Sequence, residues 1–115
     1  MPNMIGTGSI VGKTGVQQVG TTATAIVSNA SSSGKTLKIN ALLISNVDGT
    51  NDATVDVDLY RSSTAYYLVK TVNVPADTTL EVVSRPIYLE EGDSLRILAS
   101  AASDLHAVCS YEEIG

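Results

Sequence analysis

Beyond residue 20 the chain is a succession of short runs in which apolar and polar side chains alternate, each closed by a cluster of turn-forming residues. No other property constrains the fold as much, because alternation with a period of two is what a strand shows when one face is buried. In SRPIYLEEGDSLRILAS, Ile87, Leu89, Leu95, Ile97 and Ala99 alternate with Tyr88, Glu90, Ser94, Arg96 and Leu98. Between the two strands implied, Gly92 can take a positive φ and Asp93 can bond back to nearby backbone, which makes EEGD a tight corner. Pro86 cannot donate to a ladder and marks a strand start or a sheet edge.

The same reading predicts strands over residues 22–28, 36–46, 53–61, 66–74, 78–84, 87–90, 94–100 and 105–114. The separators NASSSG, VDGTND and AASD are rich in turn formers, and no amphipathic helical segment competes. The expected fold is all-β: an antiparallel β-sandwich of about eight strands, jelly-roll-like in topology. Residues 21–115 form its single domain, while residues 1–20, rich in Gly, Thr and Ser, read as an extended N-terminal arm. Such an arm can remain mobile, or it can add a strand to the sheet edge of a neighbouring subunit and order only on assembly.

Phe and Trp are absent, so the core must be built from small branched side chains. A net charge of −5 opposes direct nucleic-acid binding, which relies on clustered Lys and Arg. A single cysteine rules out an internal disulfide, and no apolar run approaches the roughly 20 residues that cross a bilayer. The opening MPNMIGTGSIVGKTG lacks the basic start and long apolar core of a secretion signal. The expectation is a soluble protein with neither nucleic acid nor membrane as a direct partner.

Facing follows from the same alternation. Val55, Val57 and Leu59 alternate with Asp56, Asp58 and Tyr60, which directs both carboxylates toward water. Leu42-Leu43-Ile44 and Val82-Val83 place apolar side chains on both faces of their strands, which calls for an outer cover such as a subunit interface. The expected interface residues are Ile10 and Val11 of the arm, Leu42, Ile44 and Val83 of these strands, and the aromatic doublet Tyr66-Tyr67.

Each chemical motif in the chain has a plainer explanation. In GSIVGKTG, Gly12-Lys13-Thr14 mimics the end of a phosphate-binding loop, but three residues rather than four separate Gly8 from Gly12, and no α/β context surrounds it. Asp48, Asn51 and Asp52 offer oxygens to a cation, yet lack the alternating ladder and closing Glu of a calcium loop. His106 and Cys109 are separated by an odd number of residues, so a strand sends them to opposite faces, and Cys109 reads as a buried structural thiol. No pair among Asp56, Asp58, Glu81 and Glu112 implies a cleft with one raised pKa. The expectation is no catalytic residue, no cofactor and no metal. A carbohydrate-binding module is the alternative from another class, with Tyr66, Tyr67 and the 48–52 loop as its site.

The stretch from Ala41 through Ile114 resembles small structural proteins of tailed-bacteriophage virions. The shared elements are an early strand ending in Ser45-Asn46, the strand VDVDLY, the turn Val74-Pro75-Ala76, the segment PIYLEEGDSL and a closing SYEE. The spacing of Leu89, Gly92, Asp93 and Leu95 is also similar to a strand pair found in many jelly rolls. The resemblance implies a head decoration or cement subunit in the virion, assembled in the host cytoplasm, with a tail, neck or fibre component as the alternative. Its implied partners are copies of itself, as a trimer, and the major capsid protein or another virion protein.

Overall fold

Nine strands and no helix make up residues 9–115, which the computed structural model describes. They are β1 (Ile10–Gln18), β2 (Thr24–Ser28), β3 (Thr36–Asn46), β4 (Ala53–Arg61), β5 (Thr64–Val74), β6 (Thr79–Val83), β7 (Ile87–Leu89), β8 (Ser94–Ala99) and β9 (Leu105–Ile114). The alternation located eight of them, three with the same bounds. The ninth, β1, falls inside the expected arm. Its two glycines, lysine and paired glutamines weaken the strand signal, but β9 supplies a ladder of nine consecutive partners, from Ile10 opposite Ile114 to Gln18 opposite His106. Residues 1–8 of that arm lie outside the described residues.

All pairings are antiparallel and form two sheets. One runs β1-β9-β3-β6, with β7 also on β3, and the other runs β2-β8-β4-β5. Successive strands cross between the sheets except at β4–β5 and β6–β7, and the late strands β8 and β9 insert between early ones. That is the nested Greek-key order of a jelly roll.

The core between the sheets is aliphatic, as the missing Phe and Trp required. Ile39, Leu42, Ile44, Leu89, Leu95, Ile97 and Leu105 are its largest fully buried side chains. A bulge at Asn40 shifts the register of β3 against β9 between Ile39 and Ala41. The bulge changes which residues face inward: Leu37 and Ile39 before it, Leu42, Ile44 and Asn46 after it. β7 pairs with the first half of β3 and β6 with the second, with Pro86 in the break between them.

Each end of the sandwich is fastened by a buried asparagine at the end of a strand, Asn29 just after β2 and Asn46 closing β3. Asn29 donates through Nδ2 to the carbonyls of Lys35 and Leu89 and accepts from the Ser33 hydroxyl at 2.6 Å. At the opposite end Asn46 donates to the carbonyls of Asn51 and Val74 and accepts from the Asp48 N–H. Each residue ties a loop to the end of a neighbouring strand through backbone carbonyls.

Arg61 pairs with Thr64 across a two-residue hairpin in which Ser62 and Ser63 both have positive φ, 52° and 60°. That conformation suits Asn-Gly and is strained for serine. Replacing Ser62-Ser63 with Asn-Gly is expected to raise stability by about 1–2 kcal/mol, since the left-handed region costs roughly that much per ordinary residue. A higher thermal midpoint checks it; an unchanged or lower one contradicts the strain.

Candidate assembly surface

The residues expected at an interface divide into two groups. Ile10, Val11, Tyr66 and Tyr67 are exposed on strands at the borders of the sheets. Leu42, Ile44 and Val83 instead lie in the core, so their expected interface role is corrected. The bulge in β3 sends Leu42 and Ile44 inward and leaves Leu43 on the outer face. A second shift, between Leu42 and Leu43 against β6, lets Val82 and Val83 both pack toward the core.

The outer face of the β1-side sheet carries an apolar row across three strands. Val16 on β1 sits opposite Val108 on β9, and Val108 opposite Leu43 on β3. All three are exposed, Val16 at 74%. Val16, Gln17, Gln18, His106, Ala107 and Val108 line a shallow hollow of about 380 Å³ beside this row. The row ends at the outer edge of the sheet, because no strand among the described residues pairs with the far side of β1.

The outer face of the other sheet is polar and internally satisfied. Asp58, expected to face water, is buried at 3% exposure: the Arg96 guanidinium lies across it, Nε to Oδ1 at 3.0 Å, and also stacks on the Tyr60 ring at 3.8 Å. A strand-alternation argument places Asp58 on the correct face but cannot see the neighbouring β8 cation that covers it. Asp56 accepts the Thr71 N–H at 2.7 Å and pairs with Lys70 at 3.1 Å. It thereby holds a bulge in β5, where Thr71 has φ of 53°. Lys70 in turn lies 4.5 Å from the Tyr67 ring centroid, and its ammonium is held charged by Asp56.

These contacts count against the carbohydrate site drawn from sequence. One ring face of Tyr67 carries Lys70, and Tyr66 sits beside the 61–64 hairpin. The 48–52 loop lies at the other end of β4, about 20 Å away at 3.3 Å of rise per residue. The loop acids are occupied as well. Asp48 accepts the N–H groups of Thr50 and Asn51, and Asp52 accepts from Asn73 and Ala76, which lowers both carboxyl pKa values below the usual range. Among the described residues, no group of three or more His, Cys, Asp or Glu side chains is placed to hold a metal ion.

At the 90–93 corner Asp93 is buried and fixed by Arg61, Nε to Oδ1 at 2.9 Å and Nη2 to Oδ2 at 2.6 Å, and by the Glu90 N–H at 2.8 Å. The guanidinium holds the Asp93 carboxyl below the ordinary carboxylate range. Gly92 takes the positive φ expected of it, 89°. Only the long-range partner Arg61, on β4, was invisible in the local sequence. His106 points out of the sheet and Cys109 into it, where burial pushes the thiol pKa up to about 11.

No family model matches the chain, and no curated protein matches it. Among solved structures it shares its fold with a protein of Bacillus endospore appendages, which form a family of disulfide-linked pili. The TM-score is 0.54 at 18% sequence identity, covering 93% of this chain and 87% of that one. At this identity the likeness is one of fold alone.

Proposed function

We propose that this chain is a structural subunit that acts by assembling with copies of itself and catalyses no reaction. The observation that carries the reading is the apolar row Val16–Val108–Leu43 running out to β1, whose far side pairs with no strand among the described residues. An exposed apolar surface continuous with open backbone donors and acceptors is what an assembling strand presents. The fold likeness to an appendage subunit supports the same class of role.

Assembly here is non-covalent. The sole cysteine, Cys109, is fully buried and its thiol is held protonated, so it cannot supply an intersubunit disulfide. The finer reading, supported by the order of elements shared with tailed-phage structural proteins, is a head decoration subunit that binds the major capsid protein in the virion. Sedimentation of the purified chain over a range of concentrations should reveal a defined oligomer. A monomer persisting at high micromolar concentration overturns the assembly reading, and absence of the protein from purified particles overturns only the virion reading.

A further inference from the structure

We propose that β1 is the docking edge for the β1 of a second copy, an antiparallel pairing with its two-fold axis at Thr14 that joins the two β1-side sheets into one. This names the contact surface of the assembly proposed above and rests on that reading.

The backbone of β1 sets which residues can bond outward. Ser9 and Gly115 exchange both backbone hydrogen bonds, at 3.4 and 3.0 Å, and the Val19 N–H donates to the Leu105 carbonyl at 2.9 Å. Antiparallel bonding alternates, so the odd-numbered residues between them turn their backbone groups toward β9. The N–H and C=O groups of Ile10, Gly12, Thr14, Val16 and Gln18 consequently point away from the sheet.

The other three borders are spoiled for strand addition. β2 has five residues, a bulge between Ala25 and Val27, and the Ala25 carbonyl already accepts the Gln17 amide. β5 is bulged twice, with the Thr71 N–H turned onto Asp56. β6 and β7 are short and separated by residues 84–86, with Pro86 among them. β1 alone among the described strands offers a long border with no register shift along its nine paired residues.

That contrast also selects the occupant. The matching long, regular edge that this chain can present is β1 itself. Charge points the same way: the protein carries net charge −5, yet β1 has no carboxylate, and its one cation, Lys13, already pairs with Glu113 at 3.2 Å. Two copies can therefore meet along β1 without bringing acids together, and nothing on this edge selects a strongly charged partner.

Outward-bonding residues must pair with one another, and full overlap of the strand then sets one register. It places Thr14 opposite the partner's Thr14, Gly12 opposite the partner's Val16, and Ile10 opposite the partner's Gln18, with about ten new backbone hydrogen bonds. Val16 lies over the partner's Gly12, a position where an added Cβ would meet no atom within 4 Å in the isolated chain. The exposed valine gains the partner strand as cover, and the apolar row ends there, because Glu112 of β9 stands opposite Gly12.

Cross-linking in the full-length chain tests the register. Thr14→Cys should form a disulfide-linked dimer under mild oxidation, because directly opposed residues in this pairing lie about 5.5 Å apart, within disulfide reach. Val16→Cys should not, because its two copies are offset by four residues, about 13 Å. Thr14→Pro removes an outward N–H without touching a β9 bond, and Val16→Lys adds a charge at the same border. Each variant that keeps its circular dichroism spectrum should weaken self-association about tenfold or more. If the protein sediments as an oligomer but Thr14→Cys cross-links no faster than Val16→Cys, or folded Val16→Lys associates normally, the β1 pairing is wrong while the assembly reading stands. If the wild-type chain stays monomeric at high micromolar concentration, both fall.

Discussion

Asn46→Ala is expected to lower the unfolding free energy by about 3 kcal/mol, roughly one for each of three hydrogen bonds lost at a buried site. Asn46 is 3% exposed, and its amide nitrogen lies 2.8 Å from the Val74 carbonyl and 3.0 Å from that of Asn51. Its side-chain oxygen accepts the Asp48 N–H at 2.9 Å. Alanine leaves the buried Val74 carbonyl without this donor and frees the start of the 47–52 turn. Asn46→Asp should also destabilise, since a carboxylate keeps the acceptor but loses both donors. Asn73→Ala, which removes a side chain bonded only to the exposed Asp52, is the comparison and should cost little. Urea unfolding at constant m-value reads the difference, and equal midpoints for Asn46→Ala and Asn73→Ala would remove Asn46 from the account.

The second large effect concerns acid. The Asp93 carboxyl titrates below its ordinary value of 3.8, first because Arg61 bonds to its charged form, then because the Glu90 N–H does. A depressed folded-state pKa contributes stability that is present above the unfolded pKa and is lost as pH falls through the folded one. Glu113, held between Lys35 and Lys13, and the loop acids Asp48 and Asp52 shift in the same direction. Stability should therefore be level near neutrality and fall steeply below about pH 4. Asp93→Asn is expected to cost about 2 kcal/mol at pH 7, in the range for hydrogen bonds to charged groups, with the exposed side of Arg61 moderating the loss. The gap to wild type should narrow on acidification. A wild-type stability that does not change between pH 6 and pH 3 would contradict the linkage.

Local signals in this chain were strong where geometry was local. Alternation located β2 through β9 because one face of each packs on an aliphatic core, and Gly92 declared its turn because only glycine takes that φ freely. β1 was hidden because its two glycines and polar Lys and Gln residues blur its own alternation, and its strand character comes from β9, about ninety residues or more away. The interface expectation failed at Leu42, Ile44 and Val83 for a related reason. A run of consecutive apolar residues does not reveal which member faces inward, and a bulge decides it. Asp58 shows the reverse case, a strand-face carboxylate that is buried because Arg96 from another strand covers it. Each miss is a long-range pairing that no window of sequence contains.

The break between β6 and β7, at the border opposite β1 in the same sheet, has a consequence for how far such molecules can grow. A sheet with two adhesive borders extends without limit, whereas a sheet spoiled at β6 and β7, beside a second sheet spoiled at the short β2 and the bulged β5, leaves β1 alone among the described strands for backbone pairing. Once its single competent border is used, the stack is closed and runaway fibrillation by strand stacking has no next step. Any larger lattice must then be stitched through side-chain contacts on the sheet faces, where position is dictated by shape and not by the repeat of the peptide.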